Sequence, residues 1–387
     1  MIILHVITGL ARAAGTSTFC GEVCNQLVTR GHDVTIAVCS PDAANIHPLD
    51  SRVRLVSIGD VVGDSHRYDV IHIHALWSPV LHKVAKWARR NHIPIVWSTH
   101  GMTAPWAMKH KWWKKWLPWW LYQKWDLMKA TLIHCTSDFE VEWNRALGFK
   151  RCFIAPLGTS LPNLCSTPAP NTYTSTSKTL LFVGRIYPVK ALDRLIEAFV
   201  RVDESLRRNW TLRLVGPDQA GHMAELMALC ERLGLAYSTP EQNGKVSAVD
   251  LDLRPRPHVE FVGPKFNQDL DDEYANCDCL ALVSHTENFG ATVVDAMAHG
   301  KPVITSTKTP WKVVADNKCG WWVDNDVDAL TQALKEALSL HCTPTPAVYP
   351  SLARMGENGR ALVEERYVWS AVCDKMVSCY EGLRFLV

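Results

Sequence analysis

Short β-branched runs alternate with helix-period segments along most of the chain. Val34-Thr35-Ile36-Ala37-Val38, Val70-Ile71-His72-Ile73-His74 and Ile93-Pro94-Ile95-Val96-Trp97 have the near-continuous apolar character of strands covered on both faces. Between the first strands, Phe19 to Arg30 places Phe19, Val23 and Leu27 on one face and stops at Gly31, which predicts a helix with a glycine cap. Strands that alternate with helices in this way predict a parallel, doubly wound sheet.

The pattern breaks over residues 162 to 178, where Pro162, Ser166, Thr167, Pro168 and Pro170 lead into a Thr/Ser run. That composition predicts a linker or exposed loop. The pattern then restarts with Thr179-Leu180-Leu181-Phe182-Val183 as a strand and Leu192 to Val200 as a helix. Further strands are predicted at Trp210–Val215, 259–262, 279–283 and 302–305. The expectation is an N-terminal α/β domain over 1–165 and a second over 178–368, with a ligand in the cleft where two such halves meet. A final helix from Trp369 to Leu386 is long enough to pack back on the first domain. Residues 238 to 257 and Thr343 to Pro350 show no period and read as a polar excursion and a Pro-rich connector.

Bulk composition narrows the class. A length of 387 residues with 47% hydrophobic and 21% charged positions suits two globular cores. A net charge of +2 argues against nucleic acid as the partner of the whole surface. The 13 cysteines lack zinc-type spacing, although Cys20 and Cys24 stand one helical turn apart and Cys277 and Cys279 are two apart. They read as buried, reduced thiols of a reducing, cytoplasmic compartment. Met1 to Thr8 has no basic leader and reads as the first strand. No apolar run approaches the roughly 18 residues of a membrane span, so the expectation is a soluble or membrane-peripheral protein.

The chemistry concentrates in the second half. In Phe182-Val183-Gly184-Arg185-Ile186-Tyr187-Pro188-Val189-Lys190-Ala191-Leu192, a strand ends at glycine and two cations occupy the loop before a helix. Fixed positive charge beside a helix start suits a diphosphate leaving group; two ordinary surface cations would leave the same trace. About a hundred residues on, His285-Thr286-Glu287-Asn288-Phe289-Gly290-Ala291 again joins a strand end to a helix. Glu287 there can accept two hydrogen bonds from sugar hydroxyls, and Asn288, Phe289, Gly290 and Ala291 offer backbone N–H groups to phosphate. Asp295, two turns into that helix, is placed for a ribose or is a solvated acid.

Val183-Gly184-Arg185, Lys190 and the Glu287/Asp295 pair with seven residues between resemble the C-terminal half of GT-B glycosyltransferases of family 4. Ala14-Gly15 is similar to that family's Gly-Gly loop. Leu27-Val28-Thr29-Arg30-Gly31-His32-Asp33-Val34 and Ala298-His299-Gly300-Lys301-Pro302-Val303-Ile304 resemble two further family segments. The resemblance implies two Rossmann-like domains and a retaining, metal-independent transfer from a nucleotide-sugar donor, with no cofactor. Arg185 and Lys190 would neutralise the diphosphate, Glu287 would hold the sugar, and Gly15 would let the first loop approach phosphate. It also implies a histidine in contact with the donor sugar, for which His100 is the candidate ahead of His5, His72 and His74; a purely structural role is the alternative. Asp295 departs from the family's usual glutamate and Ala14 from its first glycine. No Asp-x-Asp motif occurs at a suitable place, since Asp250-Leu251-Asp252 falls in the irregular polar stretch.

Residues 104 to 129 hold seven of the 16 tryptophans, six lysines and one acid, Asp126. Trp112, Trp116, Trp119 and Trp120 approximate one helical face, with Pro118 as a kink or restart. Trp112, Trp113, Lys114, Lys115 and Trp116 read as a membrane-surface contact that presents a lipid-linked or glycan acceptor. Packing into the first domain and stacking against sugar rings are the other two readings. Similar basic aromatic stretches occur in family members that build lipopolysaccharide or capsule, which points to the cytoplasmic face of a membrane. A dinucleotide oxidoreductase is disfavoured because Gly9 to Gly15 lacks G-x-G-x-x-G. A nucleotide-sugar epimerase, a phosphorylase or a degenerate nucleotide-sugar binder are the rival readings on the same fold.

Overall fold

The structure, a computed structural model, describes residues 1–11, 15–43, 45–62, 68–162, 178–243, 259–340 and 351–383. Ala14, almost all of the linker expected at 162 to 178, most of the 238 to 257 stretch with Asp250 and Asp252, the connector 343–350 and the last residues of the C-terminal helix lie outside the described residues. The chain divides into two compact units, Met1–Gly158 with Tyr367–Val387, and Thr159–Arg366.

The first unit is built on strands β1 Ile2–Val6, β2 Asp33–Val38, β3 Arg54–Ser57, β4 Val70–His74, β5 Ile95–Ser98, β6 Leu132–Cys135 and β7 Cys152–Ile154. They form one parallel sheet in the order β3-β2-β1-β4-β5-β6-β7. Side-chain alternation divides its core in two. Ile3, Val34, Ile36, Val70 and Val96 pack with Phe19, Cys20, Val23, Cys24 and Leu27 of helix Gly15–Thr29. Trp369, Val372, Cys373, Met376, Tyr380 and Leu383 of helix Trp369–Leu383 join that same layer. Leu4, Val6, Ile71, Ile73 and Trp97 face the opposite way, onto Leu81, Val84, Ala85 and Ala88 of helix Pro79–Arg90. β5 begins at Ile95, two residues later than the pattern predicted. Pro94 has no N–H to give a ladder, and only its carbonyl is used, by the Ile71 N–H.

The second unit holds β8 Lys178–Val183, β9 Trp210–Val215, β10 Tyr237–Ser238, β11 Val259–Gly263, β12 Cys279–Leu282, β13 Val303–Ser306 and β14 Gly320–Val323. These also form a parallel sheet, ordered β10-β11-β9-β8-β12-β13-β14. The expected pair of doubly wound α/β sheets is therefore present, with seven strands in each among the described residues. No helix among the described residues is long and apolar enough to cross a membrane.

Candidate functional site

In the second sheet the strand order reverses at β8, with β9 on one side and β12 on the other. Chains leaving β8 and β12 diverge and open a crevice at the carboxyl ends of the strands, the usual ligand position in such sheets. The loops on either side of that crevice carry the predicted residues. The His285 N–H donates to the Val189 carbonyl at 2.9 Å and ties one loop to the other. Lys190 closes a single 3-10 turn, Pro188–Lys190, and Ala191 in a left-handed conformation (φ 53°) redirects the chain into helix Leu192–Arg201. This aims the Lys190 Nζ at Glu287 Oε2, 2.6 Å away, and the Ser284 hydroxyl donates to the same oxygen at 3.1 Å. The two charged side chains are only 13% and 17% exposed, so solvent screens the pair weakly.

Arg185 stands on the same loop, exposed, with one guanidinium N–H on Gln219 Oε1 at 2.9 Å. Its position is fixed from beneath. The Gly184 N–H donates to the Val215 carbonyl, and Gly216 (φ 149°) passes so close that a Cβ there would fall 1.8 Å from the Gly184 oxygen. Across the crevice, Gly290 (φ 83°) caps helix Ala291–Ala298, and a Cβ on it would stand 2.7 Å from Leu282 Cδ2. Phe289 is buried against Trp311, whose indole N–H donates to the Phe289 carbonyl. Its backbone, not its ring, is what can meet a ligand. Arg185, Lys190, Gly184, Glu287 and the 288–291 turn thus occupy the two loops bordering one crevice.

Asp295 is engaged differently. Its Oδ1 accepts a 2.7 Å hydrogen bond from the Thr159 hydroxyl. Burial pushes its carboxyl up to about 6; the Thr159 bond opposes that rise, and repulsion from Asp271 adds to it. The sequence reading missed Thr159, Gln219 and Gly216 because nothing local marks partners that only the fold brings together.

In the first unit, Gly15 opens helix Gly15–Thr29 and is exposed. A Cβ there would meet no heavy atom of the described residues within 4 Å, so packing among those residues does not demand glycine. His100 takes a left-handed conformation (φ 48°) in the turn after β5. Glu140, wholly buried, positions that turn: one carboxylate oxygen accepts from the Thr99 hydroxyl at 2.6 Å and the Gly101 N–H at 2.5 Å. The other accepts from Thr136 N–H and hydroxyl. Ser137-Asp138-Phe139-Glu140 has the S-x-x-E spacing of a helix start, a signal that could have drawn attention to Glu140.

His100 also ends a stack of imidazoles. Its Nε2 lies 3.1 Å from His74 Nδ1, and His74 Nε2 lies 3.0 Å from His5 Nδ1. A second chain links Tyr380, His72, Ser98, His134 and the Ala155 carbonyl at 2.6 to 2.8 Å. Burial lowers the pKa of His5, His72 and His100, and that of His134 to about 3, so these rings are neutral in the folded chain.

The tryptophan-lysine stretch folds as helices Pro105–Lys109, Trp112–Pro118 and Lys124–Lys129, with a π-helical turn at Trp119–Gln123. Pro118 does not break the helix: the chain continues past it in the wider turn, where the Lys124 N–H reaches back to Trp119 O. Asp126, buried, pins the segment to helix Pro79–Arg90 through His82 at 2.7 Å and Arg89 at 2.9 Å. Trp119 alone of the seven tryptophans turns inward, onto Trp77 and Phe149. Trp112 and Trp113 are each 63% exposed, and Trp106, Trp116, Trp120 and Trp125 are about half exposed or more. Packing into the domain therefore accounts for one tryptophan and leaves six. Lys115 is a departure from the expected surface contact: its ammonium hydrogen-bonds the Ala107 carbonyl and lies 5.8 Å from the Trp77 ring centroid. Lys109, Lys111, Lys114 and Lys129 remain exposed.

Residues 168–362 match the family described as glycosyl transferases group 1, and residues 13–161 match glycosyltransferase family 4. A D-inositol 3-phosphate glycosyltransferase of Gordonia bronchialis is 32% identical over 228 residues, which is 56% of this chain. The match spans 44% of that relative's length. Among solved structures, HepE of Anabaena in complex with UDP is similar over 99% of this chain and 100% of its own, with TM-score 0.69 and 16% identity. WaaG, a glycosyltransferase involved in lipopolysaccharide biosynthesis, is similar over 98% of this chain and 100% of its own, with TM-score 0.67 and 18% identity.

Proposed function

The chain belongs to the glycosyl transferases group 1 family and has the GT-B fold, and on that premise we propose that it moves a hexose-type sugar from a nucleoside-diphosphate sugar to a glycan or glycolipid hydroxyl. The observation that carries this is the Lys190–Glu287 pair at the strand-order reversal of the second unit. As the sugar C1–O bond breaks, negative charge gathers on the diphosphate. Arg185 and Lys190 supply two fixed positive charges there with no metal required, at the place where charge develops. The acceptor oxygen bonds to C1, its proton leaves with the diphosphate, and the configuration at C1 is retained. Glu287, released in part from Lys190 by the incoming phosphate, accepts hydrogen bonds from sugar hydroxyls. Turn 288–291 offers N–H groups to phosphate, and Asp295 reaches the ribose, directly or through water.

The acceptor side lies on the first unit. Six exposed tryptophans interleaved with exposed lysines suit an anionic membrane surface on the cytoplasmic side, where each lysine near the headgroups contributes about 1 kcal/mol. Such a surface fits a lipid-linked acceptor of the lipopolysaccharide type, the process named for the similar WaaG. A thermal-shift panel of nucleoside diphosphates and nucleotide sugars tests the donor half. A specific donor raises Tm in step with its concentration, and a panel without any response would refute the reading.

A further inference from the structure

The face of the first sheet beneath helix Gly15–Thr29 carries a cluster that sugar transfer does not use. Cys20 and Cys24 are one turn apart on that helix, directly over His5 of β1, and all three are fully buried. A ring nitrogen of His5 and the two sulfurs lie within 4.8 Å of one another. Ligand atoms around a tetrahedral zinc are roughly 3.4–3.8 Å apart, a contraction that small side-chain rotations supply. His5 Nε2 is buried and makes no hydrogen bond to any of the described residues, a costly state for a ring nitrogen. Its other nitrogen is already held 3.0 Å from His74 Nε2, and His74 in turn from His100. A metal-bound histidine wants just that: its second nitrogen anchored so that ring orientation and tautomer are fixed.

A second group, His5 with His72 and His74, is as close. Both nitrogens of His72, however, are taken by Tyr380 and Ser98, so the sulfur-bearing set is the better ligand field. Charge selects the ion. Two thiolates and a neutral imidazole around a divalent cation sum to zero, which an apolar interior tolerates, whereas a monovalent ion would leave a net negative charge there.

We propose that Cys20, Cys24 and His5, with a water as the fourth ligand, form a buried zinc site that staples helix Gly15–Thr29 to β1. Zinc on His5 Nε2 would place the proton on His5 Nδ1, then on His74 Nδ1, leaving His100 Nε2 as an acceptor. The test uses the full chain, free of any histidine tag and kept reduced, reconstituted with zinc or cobalt and then gel-filtered. The expected result is about one metal per chain, with thiolate-to-cobalt charge-transfer absorption in the cobalt form. Cys24→Ser should lose at least about tenfold in metal affinity, while Cys39→Ser, which alters an exposed cysteine, should keep it. Should Cys24→Ser fail to fold, a chelator must lower the Tm of the zinc-loaded wild-type chain. Metal below stoichiometry in the wild type, an unchanged cobalt spectrum in Cys24→Ser, no chelator effect, or uptake of copper(I) without zinc would each overturn the proposal.

Discussion

Replacing Lys190 with Met removes an ammonium 2.6 Å from Glu287 Oε2 and leaves the rest of the 3-10 turn intact. Two consequences follow, and they separate. For stability, the lost partner leaves Glu287 as an uncompensated, 17% exposed carboxylate. A fully buried pair broken in this way costs about 3–5 kcal/mol; with water reaching both groups, the expected loss is about 1–3 kcal/mol. Glu287→Gln removes the opposite member and strands the lysine instead. In the double variant Lys190→Met/Glu287→Gln neither charge is left alone, so its loss should fall short of the sum of the single losses by about 1–2 kcal/mol. For transfer, no such rescue is available. Lys190 acts on charge that appears only as the donor bond breaks, so kcat should drop about 100- to 1000-fold in both variants that lack it. The assay is urea unfolding of all four proteins beside nucleoside diphosphate release from whichever donor the thermal-shift panel selects. Additive stability losses, or a Lys190→Met kcat within a few fold of wild type, would refute the reasoning.

Three further outcomes are expected. Asp295, with its carboxyl at about 6 against roughly 3.9 unfolded, is destabilising above pH 6 and neutral below about 4. Asp295→Asn should therefore raise Tm at pH 8 but not at pH 4.5, and weaken donor binding; a lower Tm at both pH values would contradict the burial argument. The neutral His5, His72, His100 and His134 all have lowered pKa values, so their contribution is complete above the unfolded value of about 6.5 and lost as pH falls below it. Each should cost about 1.4 kcal/mol per pH unit, seen as a steep drop in calorimetric Tm from pH 7 to 5.5, and a flat profile would show that these rings are protonated in the fold. Changing Trp112, Trp113 and Trp116 together to Ala should leave folding intact, since all three are exposed, yet abolish co-sedimentation with anionic liposomes; undiminished binding would sink the membrane reading.

The long central strands and their flanking helices were legible because they are buried on both faces and so read as unbroken apolar runs. Trp210–Val215 and Val70–His74 are found at the expected bounds. The edge strands β3, β7, β10 and β14 are short and only partly buried, and nothing in their sequence sets them apart from loops. At the site, the loop positions of Arg185, Lys190 and Glu287 follow from strand ends and glycine, which are local signals. The ion pair linking Lys190 to Glu287 spans 97 residues and comes from strand order, which periodicity does not encode. The imidazole stack was hidden for a similar reason. His5 lies on β1, His72 and His74 on β4 and His134 on β6, and only the register of β1 with β4, and of β4 through β5 to β6, brings them together. Among the tryptophans of residues 104 to 129, Trp119 packs inward where the other six do not, a difference that helical period alone does not mark.

Sugar transfer itself is tested most directly by stoichiometry. The full chain is incubated with its selected nucleotide sugar and a glycolipid fraction from cells that lack the chain, and all products are quantified by mass spectrometry. One nucleoside diphosphate should appear for each acceptor that gains one hexose, and both should vanish together in Lys190→Met. A sugar altered while still attached to its nucleotide, or nucleotide bound with neither product formed, would contradict the account.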